Sequence, residues 1–495
     1  MYDHVCIRFT KIEYIHNMCG IWASVLKDID ARLHLCRLVS RGPDGQNVQV
    51  FRNGVLGFTH LSINGSQGMQ PVISNEVAIV CNGEIYNYKE LAKHYDIVIP
   101  EGGSDCSILP ELFRKTSGVT EFCRVLDGVF AMCIYDQRTD RLYAMRDPYG
   151  VRPLFHSQYE IFASVAKAIP PTLCAAEQFR PGTWMVNKLV TEYHTIPIVK
   201  QPFLDEHMNA THALWSALTK SVRKRLLSDK PIGALLSGGL DSSLIVSILA
   251  RHVYPLHTFS IGLEDSKDLQ CAREVAAYLG TIHHEVIITE DDYKNAIPEV
   301  IYDIESCDIT TVRASVGNWL IGKYIRENTD IKVVFNGDGS DEVGGGYRYF
   351  QRAPSDYAFE DECRRLLTDI CYFDGLRSDR CISAHGLEPR SPYLDKQFVA
   401  TWLGISTELR RTGIEKKILR DAFVGYLPDE ILYRKKEAFS DGMSSNVPWK
   451  TIKDEALYYK TLYSAHFPGQ LVPYTWMPRW SPETSDPSAK TLSIY

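Results

Sequence analysis

The sequence predicts two domains of different fold class: a sheet-rich α+β domain, then an α/β domain built on a parallel sheet with a helical C-terminal part. Three observations predict this. Short segments rich in β-branched and aromatic residues, separated by turn formers, fill the chain from 19 to about 190. Strands alternate with helices from about 210, which is the order of a parallel sheet. Beyond 353 the pattern is mostly helical.

The first domain is assigned to residues 19–190. Its predicted strands are Gly20–Val25, Val55–Thr59, Val77–Cys81, Gly128–Tyr135 and Arg141–Met145. Its predicted helices are Tyr88–Lys93 and Ser107–Thr116. The segment Val190–Asn209 has weak periodicity and prolines at 197 and 202, so we expect a linker there.

The second domain is assigned to residues 210–495 and begins with a predicted helix, Ala210–Leu227. Its predicted strands are Ile232–Leu236, Leu256–Ile261, His284–Ile287 and Lys332–Phe335. Helices Ser242–Arg251 and Lys267–Leu279 are predicted between the first three of them, and another helix before the fourth. This alternation indicates a parallel α/β sheet.

Composition excludes several kinds of protein. The formal net charge of −7 argues against a broad basic surface, so we expect no nucleic-acid partner. No apolar stretch is long enough to cross a bilayer, and the first residues lack the apolar segment of a secretion signal. The 13 cysteines are scattered, without a Cys-x-x-Cys pair, which indicates neither a disulfide framework nor a zinc site. A cytoplasmic location is expected.

A nucleotide site is predicted where the first strand of the second domain ends. Strand Ile232–Leu236 leads into Ser237-Gly238-Gly239-Leu240-Asp241-Ser242-Ser243, and a helix begins there. Two glycines let the backbone approach a phosphate, and the helix N-terminus favours an anion. Asp241 would hold Mg²⁺ through carboxylate oxygen. No Gly-Lys-Ser/Thr follows, so this is not the kinase-type P-loop, and the alternative is a glycine turn capped by serine.

A second acidic loop follows strand Lys332–Phe335. Its sequence is Asn336-Gly337-Asp338-Gly339-Ser340-Asp341-Glu342, and Gly344–Gly346 comes next. Ligands of a parallel sheet bind beyond the carboxyl ends of its strands, so Asp341 is placed to share Mg²⁺ with Asp241. The alternative is a flexible surface loop.

The string Met18-Cys19-Gly20-Ile21-Trp22 predicts a nucleophile at the amino terminus. Once Met18 is removed, the thiol of Cys19 and its own α-amino group lie together. That amine has a pKa of roughly 7.7–8.0 and can act as general base. The oxyanion formed by attack on an amide would be bound by Asn82 and the Gly83 N–H, and Glu84 and Asp105 are candidates to hold an α-ammonium group.

Further strings give a family resemblance. Arg41-Gly42-Pro43-Asp44, Asn82–Asn87 and Gly103-Ser104-Asp105 resemble the glutamine amidotransferases with an N-terminal nucleophile. From Met18 to Tyr495 the chain resembles the glutamine-hydrolysing asparagine synthetases. Strings that extend this resemblance are Arg146–Leu154, Asp308–Ser315, Ala384–Glu388, Lys435–Gly442 and Trp476-Met477-Pro478. The resemblance implies an N-terminal-nucleophile layered β sandwich followed by an ATP-pyrophosphatase domain.

The resemblance also implies substrates, cofactors and residue roles. Aspartate, ATP and glutamine are the implied small-molecule substrates, Mg²⁺ the implied metal, and β-aspartyl-AMP the implied intermediate, with ammonia passing between the sites through an internal tunnel. A homodimer is one arrangement that the sequence leaves open. The implied catalytic residues are Cys19, Asn82, Gly83, Asp338 and Lys436. Glutamine is expected at His60, Leu61, Ser62, Ile63, Asn64, Asn82, Gly83, Glu84 and Asp105. ATP is expected at Leu236, Ser237, Gly238, Gly239, Asp241, Ser242, Ile261, Asn336 and Gly337, and the metal at Asp241 and Asp341.

Three features depart from the family pattern. The family has arginine where His60 stands, and a mostly neutral imidazole cannot form the same charged fork on the glutamine carboxylate. Arg41 is the alternative ligand for that carboxylate. Asp338 replaces a glutamate and is one methylene shorter, so slower synthetase chemistry is expected.

The 17 residues before Met18 are the third departure. If they remain, Cys19 has no free amine and glutamine hydrolysis should fail. An upstream start site, proteolytic processing and an inactive glutaminase are the three explanations. We expect the active protein to begin at Cys19, which intact-mass measurement can check. A glutaminase-active protein that still begins at Met1 would contradict the free-amine mechanism.

Three other functions fit parts of the sequence. A tRNA-modifying ATP pyrophosphatase shares the Ser-Gly-Gly loop but would need a basic surface. A β-lactam-forming synthetase shares both domains but typically has lost the nucleophile, whereas Cys19 and Asn82-Gly83 are present here. A degenerate paralogue without turnover would explain His60 and Asp338.

Overall fold

Three sheets organise the chain. The computed structural model describes residues 19–26, 29–42, 44–65, 68–170, 175–198, 202–434, 448–468 and 478–480. The strands are β1 Gly20–Ser24, β2 Gly45–Phe51, β3 Gly54–His60, β4 Val72–Ser74, β5 Val77–Ile85, β6 Gly128–Asp136, β7 Arg141–Arg146, β8 Phe155–His156, β9 Ile161–Ala163, β10 Glu177–Gln178, β11 Thr183–Val186, β12 Leu189–Glu192, β13 Ile232–Leu235, β14 His257–Gly262, β15 Ile282–Ile287, β16 Val333–Phe335 and β17 Glu388–Arg390.

Helices occur throughout the described chain. The α-helices are Ala31–Leu35, Tyr88–His94, Leu109–Lys115, Val119–Val125, His207–Lys224, Leu240–Leu249, Lys267–Leu279, Glu290–Ile304, Ile309–Asn328, Ser340–Gly344, Asp356–Asp369, Asp374–Ser383, Lys396–Leu403, Thr407–Arg410, Lys417–Ala422, Asp429–Leu432 and Glu455–His466. Short 3₁₀ helices are Cys36–Leu38, Asp105–Ile108, Ala166–Ala168, Arg348–Arg352, Ile370–Tyr372, Pro392–Leu394 and Pro448–Thr451. No helix in the described ranges is both long and apolar enough to span a membrane.

Two antiparallel sheets form the first part of the chain. Their strand orders are β10-β8-β9-β1-β3-β2 and β12-β11-β7-β6-β5-β4. The inner faces share one apolar cluster, in which Ile21 and Phe58 from one sheet pack with Val80 and Ala131 from the other. The outer face of the second sheet is covered by helices that include Leu112. The alternation of apolar residues along each strand therefore builds a layered sandwich.

The second part of the chain contains a five-stranded parallel sheet of order β15-β14-β13-β16-β17. The chain moves outward from β13 to β15 in one direction and then from β16 to β17 in the other. The order therefore reverses between β13 and β16. In open α/β sheets, ligands bind beyond the carboxyl ends of the strands at this reversal.

The two parts share a buried core. Leu61 and Val151 of the first part lie in the same apolar cluster as Leu236 and Tyr393 of the second. Cys19 is partly buried and packs against this cluster. The candidate nucleophile is therefore close to the boundary between the parts.

The predicted elements are mostly confirmed, with shifts of a few residues at their ends. Helix Lys267–Leu279 has the predicted bounds, while β5 extends four residues beyond its predicted end. The strand Glu388–Arg390 was not predicted, because it lies in a region that the sequence indicates as helical. The strands β2, β4 and β8 to β12 were also not predicted, and β12, Leu189–Glu192, extends into the segment that was expected to be a linker. Every cysteine that the structure describes is a free thiol.

Candidate active sites

Cys19 lies directly before β1 and faces the segment that follows β3. The Leu61 backbone N–H donates to Cys19 Sγ at 3.3 Å, and the thiol is 3.5 Å from the Leu61 carbonyl oxygen. Burial raises the pKa of the Cys19 thiol, the Leu61 N–H partly opposes this, and Glu388 and Glu84 raise it further. The resting thiol is therefore protonated, and a base must accept its proton during attack.

Asn82 and Gly83 lie within β5, in the second of the two antiparallel sheets. Asn82 is 1% exposed, and its side-chain Nδ2 has no hydrogen-bond partner among the residues described. A buried amide donor without a partner is costly and suggests a partner that arrives with the substrate. A side chain at Gly83 would lie 2.1 Å from the Val129 carbonyl oxygen, so only glycine fits there. Both residues suit the predicted oxyanion site.

Two buried carboxyl groups lie close to Asn82 and Gly83 in the chain or in space: Glu84, which also belongs to β5, and Asp105, which begins the 3₁₀ helix Asp105–Ile108 and bonds to β5. Asp105 Oδ2 accepts a hydrogen bond from the Ile85 N–H at 2.6 Å. Burial raises the pKa of Asp105 to about 6. Burial, with the nearby charge of Asp105, also raises the pKa of Glu84 well above its usual value. A cationic substrate group would relieve this unfavourable pair of buried acids, as expected for residues that hold an α-ammonium group.

His60 ends β3, and the predicted glutamine segment 61–64 follows it. Burial lowers the pKa of His60, and Asp44 only partly opposes this. The imidazole is therefore neutral near pH 7. A side chain at Gly65 would lie 2.8 Å from the Ser104 backbone nitrogen, so this segment and the Gly103-Ser104-Asp105 string are neighbours.

The remaining members of that segment have mixed contacts. The Ser62 N–H donates to Asp44 Oδ2 at 2.8 Å, and the Ile63 carbonyl accepts from the Asp229 N–H at 3.0 Å. Asn64 Nδ2 is buried with no hydrogen-bond partner in the described part of the chain. Asn64 is thus the member with an unused donor for a ligand.

Arg41 is engaged away from the predicted glutamine carboxylate. Its Nη1 contacts Asp379 Oδ2 and Ser383 Oγ, both at 2.7 Å, and its Nη2 contacts Asp379 Oδ1 at 3.2 Å. Its Nε donates to the Cys19 carbonyl at 3.3 Å. All three guanidinium nitrogens therefore have partners, which disfavours Arg41 as the substitute for the family's arginine.

The predicted nucleotide loop joins β13 to helix Leu240–Leu249, at the reversal of the parallel sheet. Ser242 Oγ contacts the Ser237 hydroxyl at 3.1 Å. Gly238 has a φ of +70°, and a side chain there would lie 2.5 Å from the Ala272 nitrogen. The loop is therefore held in a tight conformation that glycine permits. Gly239 caps the helix, and Leu236 and Ile261 are buried beside the loop.

The second acidic loop joins β16 to helix Ser340–Gly344 and lies against the first. A side chain at Gly337 would lie 2.9 Å from the Ser242 nitrogen. Asn336 Nδ2 donates to Ser378 Oγ at 2.6 Å, and Ser391 Oγ donates to Asn336 Oδ1 at 2.8 Å. The structure therefore brings together the two loops that were predicted to share a ligand.

Lys416 connects the two predicted metal ligands. Its ammonium nitrogen lies 2.6 Å from Asp241 Oδ1 and 2.7 Å from Asp341 Oδ1, and the lysine is 1% exposed. The Ser340 hydroxyl donates to Asp241 Oδ1 at 2.7 Å. The carboxylates of Asp241 and Asp341 thus converge on one cation.

The sequence did not predict a role for Lys416. It stands in the run Glu415-Lys416-Lys417, which is typical of a solvated surface. One signal was present in the string Gly344–Gly346. A side chain at Gly346 would lie 2.9 Å from Lys416 Cε, so the glycines leave room for the lysine stem.

Asp338 is oriented by an arginine that was also not predicted. Arg377 Nη2 contacts Asp338 Oδ1 at 2.8 Å, while Asp338 Oδ2 is buried and makes no hydrogen bond within the described ranges. One oxygen is thus fixed and the other is left for a ligand. Lys436 lies outside the described residues, as do Pro43, Lys435–Gly442, Trp476 and Met477.

Two candidate sites of these kinds on one chain are typical of an amidotransferase joined to a synthetase, and comparison with known families agrees. The glutamine amidotransferase domain family matches residues 18–218. The asparagine synthase family matches residues 213–362 and 353–459.

Full-length relatives define the family. A glutamine-hydrolyzing asparagine synthetase from Cricetulus griseus is 38% identical, over 97% of this chain and 99% of the relative. The proteins of the same name from Homo sapiens and Gallus gallus are each 37% identical over the same shares. The chain belongs to the glutamine-hydrolysing asparagine synthetase family.

Proposed function

We propose that this chain makes asparagine from aspartate, ATP and glutamine through β-aspartyl-AMP. The observation that carries the proposal is the pairing of two sites on one chain. One has the Cys19 thiol, which packs against the apolar cluster that contains Val80 of β5, and an amide donor on the same strand, Asn82, that makes no hydrogen bond among the described residues. The other has two glycine-rich loops of the kind that bind phosphate, and the carboxylates of these loops, Asp241 and Asp341, both contact the Lys416 ammonium.

In the first site, Cys19 attacks the glutamine side-chain carbonyl and releases ammonia. The thiol proton passes to the free α-amino group and then to the leaving nitrogen. Asn82 Nδ2 and the Gly83 N–H bind the oxyanion, and the lack of a partner for Asn82 Nδ2 among the described residues supports this role. Glu84 and Asp105 hold the α-ammonium group. Water then hydrolyses the thioester to glutamate and frees the thiol.

In the second site, the aspartate β-carboxylate attacks the α-phosphate of ATP and pyrophosphate leaves. Ammonia then attacks the activated carbonyl, and AMP leaves with the C–O bond electrons. The two glycine loops bind the phosphates through backbone N–H groups. Asp338 is fixed by Arg377 through one oxygen, and its other oxygen, which makes no hydrogen bond within the described residues, would accept a proton from attacking ammonia.

The site fits Mg²⁺ because the carboxylates of Asp241 and Asp341 lie close enough to share one cation. In this structure that cation is the Lys416 ammonium, at 2.6 Å and 2.7 Å from the two carboxylates. Among the residues described, no cluster of three or more His, Cys, Asp or Glu could hold a metal by itself. Phosphate oxygens would therefore complete the ligand set. When bound, Mg²⁺ would neutralise charge on the phosphates and the leaving pyrophosphate.

We assign residues 19–190 to an N-terminal-nucleophile glutaminase and residues 210–495 to an ATP-pyrophosphatase synthetase. A cytoplasmic location and a homodimer stay predictions. The layered antiparallel sheets and the reversal of the parallel sheet support the two fold assignments.

A pyrophosphate-release assay tests the function. Release with aspartate and ammonium, and with aspartate and glutamine, should be accompanied by stoichiometric asparagine. Release that depends on tRNA, or on a β-amino acid instead of aspartate, would support one of the rival synthetases. No release with any of these substrates would indicate a degenerate paralogue.

His60 is expected to limit the use of glutamine. The neutral imidazole lacks the charged fork that an arginine gives to a carboxylate, and one charged hydrogen bond contributes about 1.5–3 kcal/mol. His60→Arg should therefore lower the glutamine KM by roughly tenfold to a hundredfold. Ammonia-dependent synthesis occurs at the other site and is the internal control. The exposed His252→Arg is the matched variant. An unchanged or higher KM would mean that another residue already binds the carboxylate.

A further inference from the structure

Helix Asp374–Ser383 is polar in sequence and buried in the structure. Every residue from Gly375 to Ser383 is buried, including Arg377, Asp379 and Arg380. Buried charges are unfavourable unless they are paired. The partners of this helix therefore show which parts of the molecule it holds together.

The first half of the helix contacts the synthetase loop. Arg377 holds Asp338 at 2.8 Å, and Ser378 accepts the Asn336 side-chain amide at 2.6 Å. Both partners belong to the loop that is proposed to receive ATP and the activated aspartate. A change in that loop on ligand binding would act directly on this half of the helix.

The second half contacts the nucleophile through one arginine. Asp379 and Ser383 are four residues apart, so they share a face of the helix. Both bind the guanidinium of Arg41, at 2.7 Å from Nη1. Arg41 Nε in turn donates to the Cys19 carbonyl at 3.3 Å. Burial opposes ionisation of Asp379, but Arg41 and Arg152 outweigh it and lower the pKa of Asp379. The carboxylate that holds Arg41 is therefore charged.

We propose that helix Asp374–Ser383 couples the two active sites, and that Arg41 is the positioning residue that sets the Cys19 main chain. Ser378 and Ser383 are about 7.5 Å apart along the axis of a helix. A shift of this short, buried helix would therefore move Arg41, and with it the Cys19 main chain, by nearly the same distance. The inference rests on the proposed roles of Cys19 and the Asn336–Asp338 loop.

Covalent labelling of Cys19 in the two-domain protein that begins at Cys19 tests the coupling. The probe is 6-diazo-5-oxo-L-norleucine, a glutamine analogue that alkylates a nucleophilic thiol, used with and without ATP and aspartate. In the wild type, we expect these synthetase ligands to change the labelling rate by about fivefold or more. Arg41→Lys and Asp379→Asn should remove this response. Arg41→Lys should also lower the kcat of glutamate release at an unchanged glutamine KM, because it alters the position of the nucleophile and not glutamine binding.

Arg138→Lys is the matched control. Arg138 pairs with Asp136 at 2.9 Å through two nitrogens, as Arg41 does with Asp379, but within the first part of the chain. This variant should keep both the ligand response and the kcat. Thermal melting establishes that each variant is folded.

Two results would overturn the coupling: a wild-type labelling rate that ignores ATP and aspartate, or a response that persists in both Arg41→Lys and Asp379→Asn. A wild type that neither releases glutamate nor reacts at Cys19 would instead contradict the proposed function, and this inference with it.

Discussion

Asp241→Asn is expected to abolish aspartate-dependent pyrophosphate release, a loss of about a thousandfold in kcat. The substitution removes one of the two carboxylates that converge on the Lys416 ammonium. It would therefore remove the proposed metal ligand and leave the buried lysine with less compensating charge. Losing one partner of a buried pair costs about 3 kcal/mol or more in stability, so a melting curve must accompany the assay.

Glutamate release from glutamine is the internal control for Asp241→Asn, because Cys19 lies in the other site. The exposed Asp205→Asn is the matched variant and should retain full activity. Wild-type pyrophosphate release by Asp241→Asn would exclude the proposed role of this carboxylate.

Asn82→Ala is expected to lower the kcat of glutamine hydrolysis by about a hundredfold to a thousandfold. Its side-chain nitrogen makes no hydrogen bond to other residues in the described structure, so the substitution removes a donor that only the reacting oxygen would use. The loss should therefore appear in kcat far more than in stability. Steady-state kinetics of glutamate release, with a melting curve, measure both.

Ammonia-dependent synthesis should survive in Asn82→Ala, since that reaction bypasses the thioester. Asn47→Ala, at an exposed position of the antiparallel strand β2, is the matched control. An unchanged kcat would mean that the oxyanion is bound by backbone N–H groups alone.

Local sequence signals predicted the two fold classes and part of the strands, but not β2, β4, β8 to β12 or β17. The run Val77–Cys81 is apolar and β-branched, and it lies in a strand. The continuation of β5 through Asn82 and Gly83 was not predicted, because these residues are poor strand formers. Pairing of Gly83 with Phe130 on β6 places them in the sheet. Tertiary pairing therefore overrides the local preference where the proposed site lies.

Side-chain partners distant in sequence could not be predicted. Lys416 is separated from Asp241 by 175 positions, and Arg41 from Asp379 by 338. Neither charge pattern differs locally from that of a solvated surface. The two glycine loops were predictable because strand, loop and helix follow one another directly, whereas the cations that join them come from elsewhere in the chain.

Strand β17, which was not predicted, makes the stability of the second half depend on the first. It lies at one edge of the parallel sheet and, among the described strands, pairs with β16 alone. Its Pro389 has no N–H to offer a further strand, and the Pro389 carbonyl is 3.4 Å from Arg152 Nη1 of the first half. Arg152 of the amidotransferase half therefore lies against this edge. Pro389 and the short length of β17 already protect the edge against pairing with another strand. A synthetase half produced alone would instead leave the buried Glu388 of β17 without Arg152, whose Nη2 lies 3.4 Å away, and would therefore be less stable.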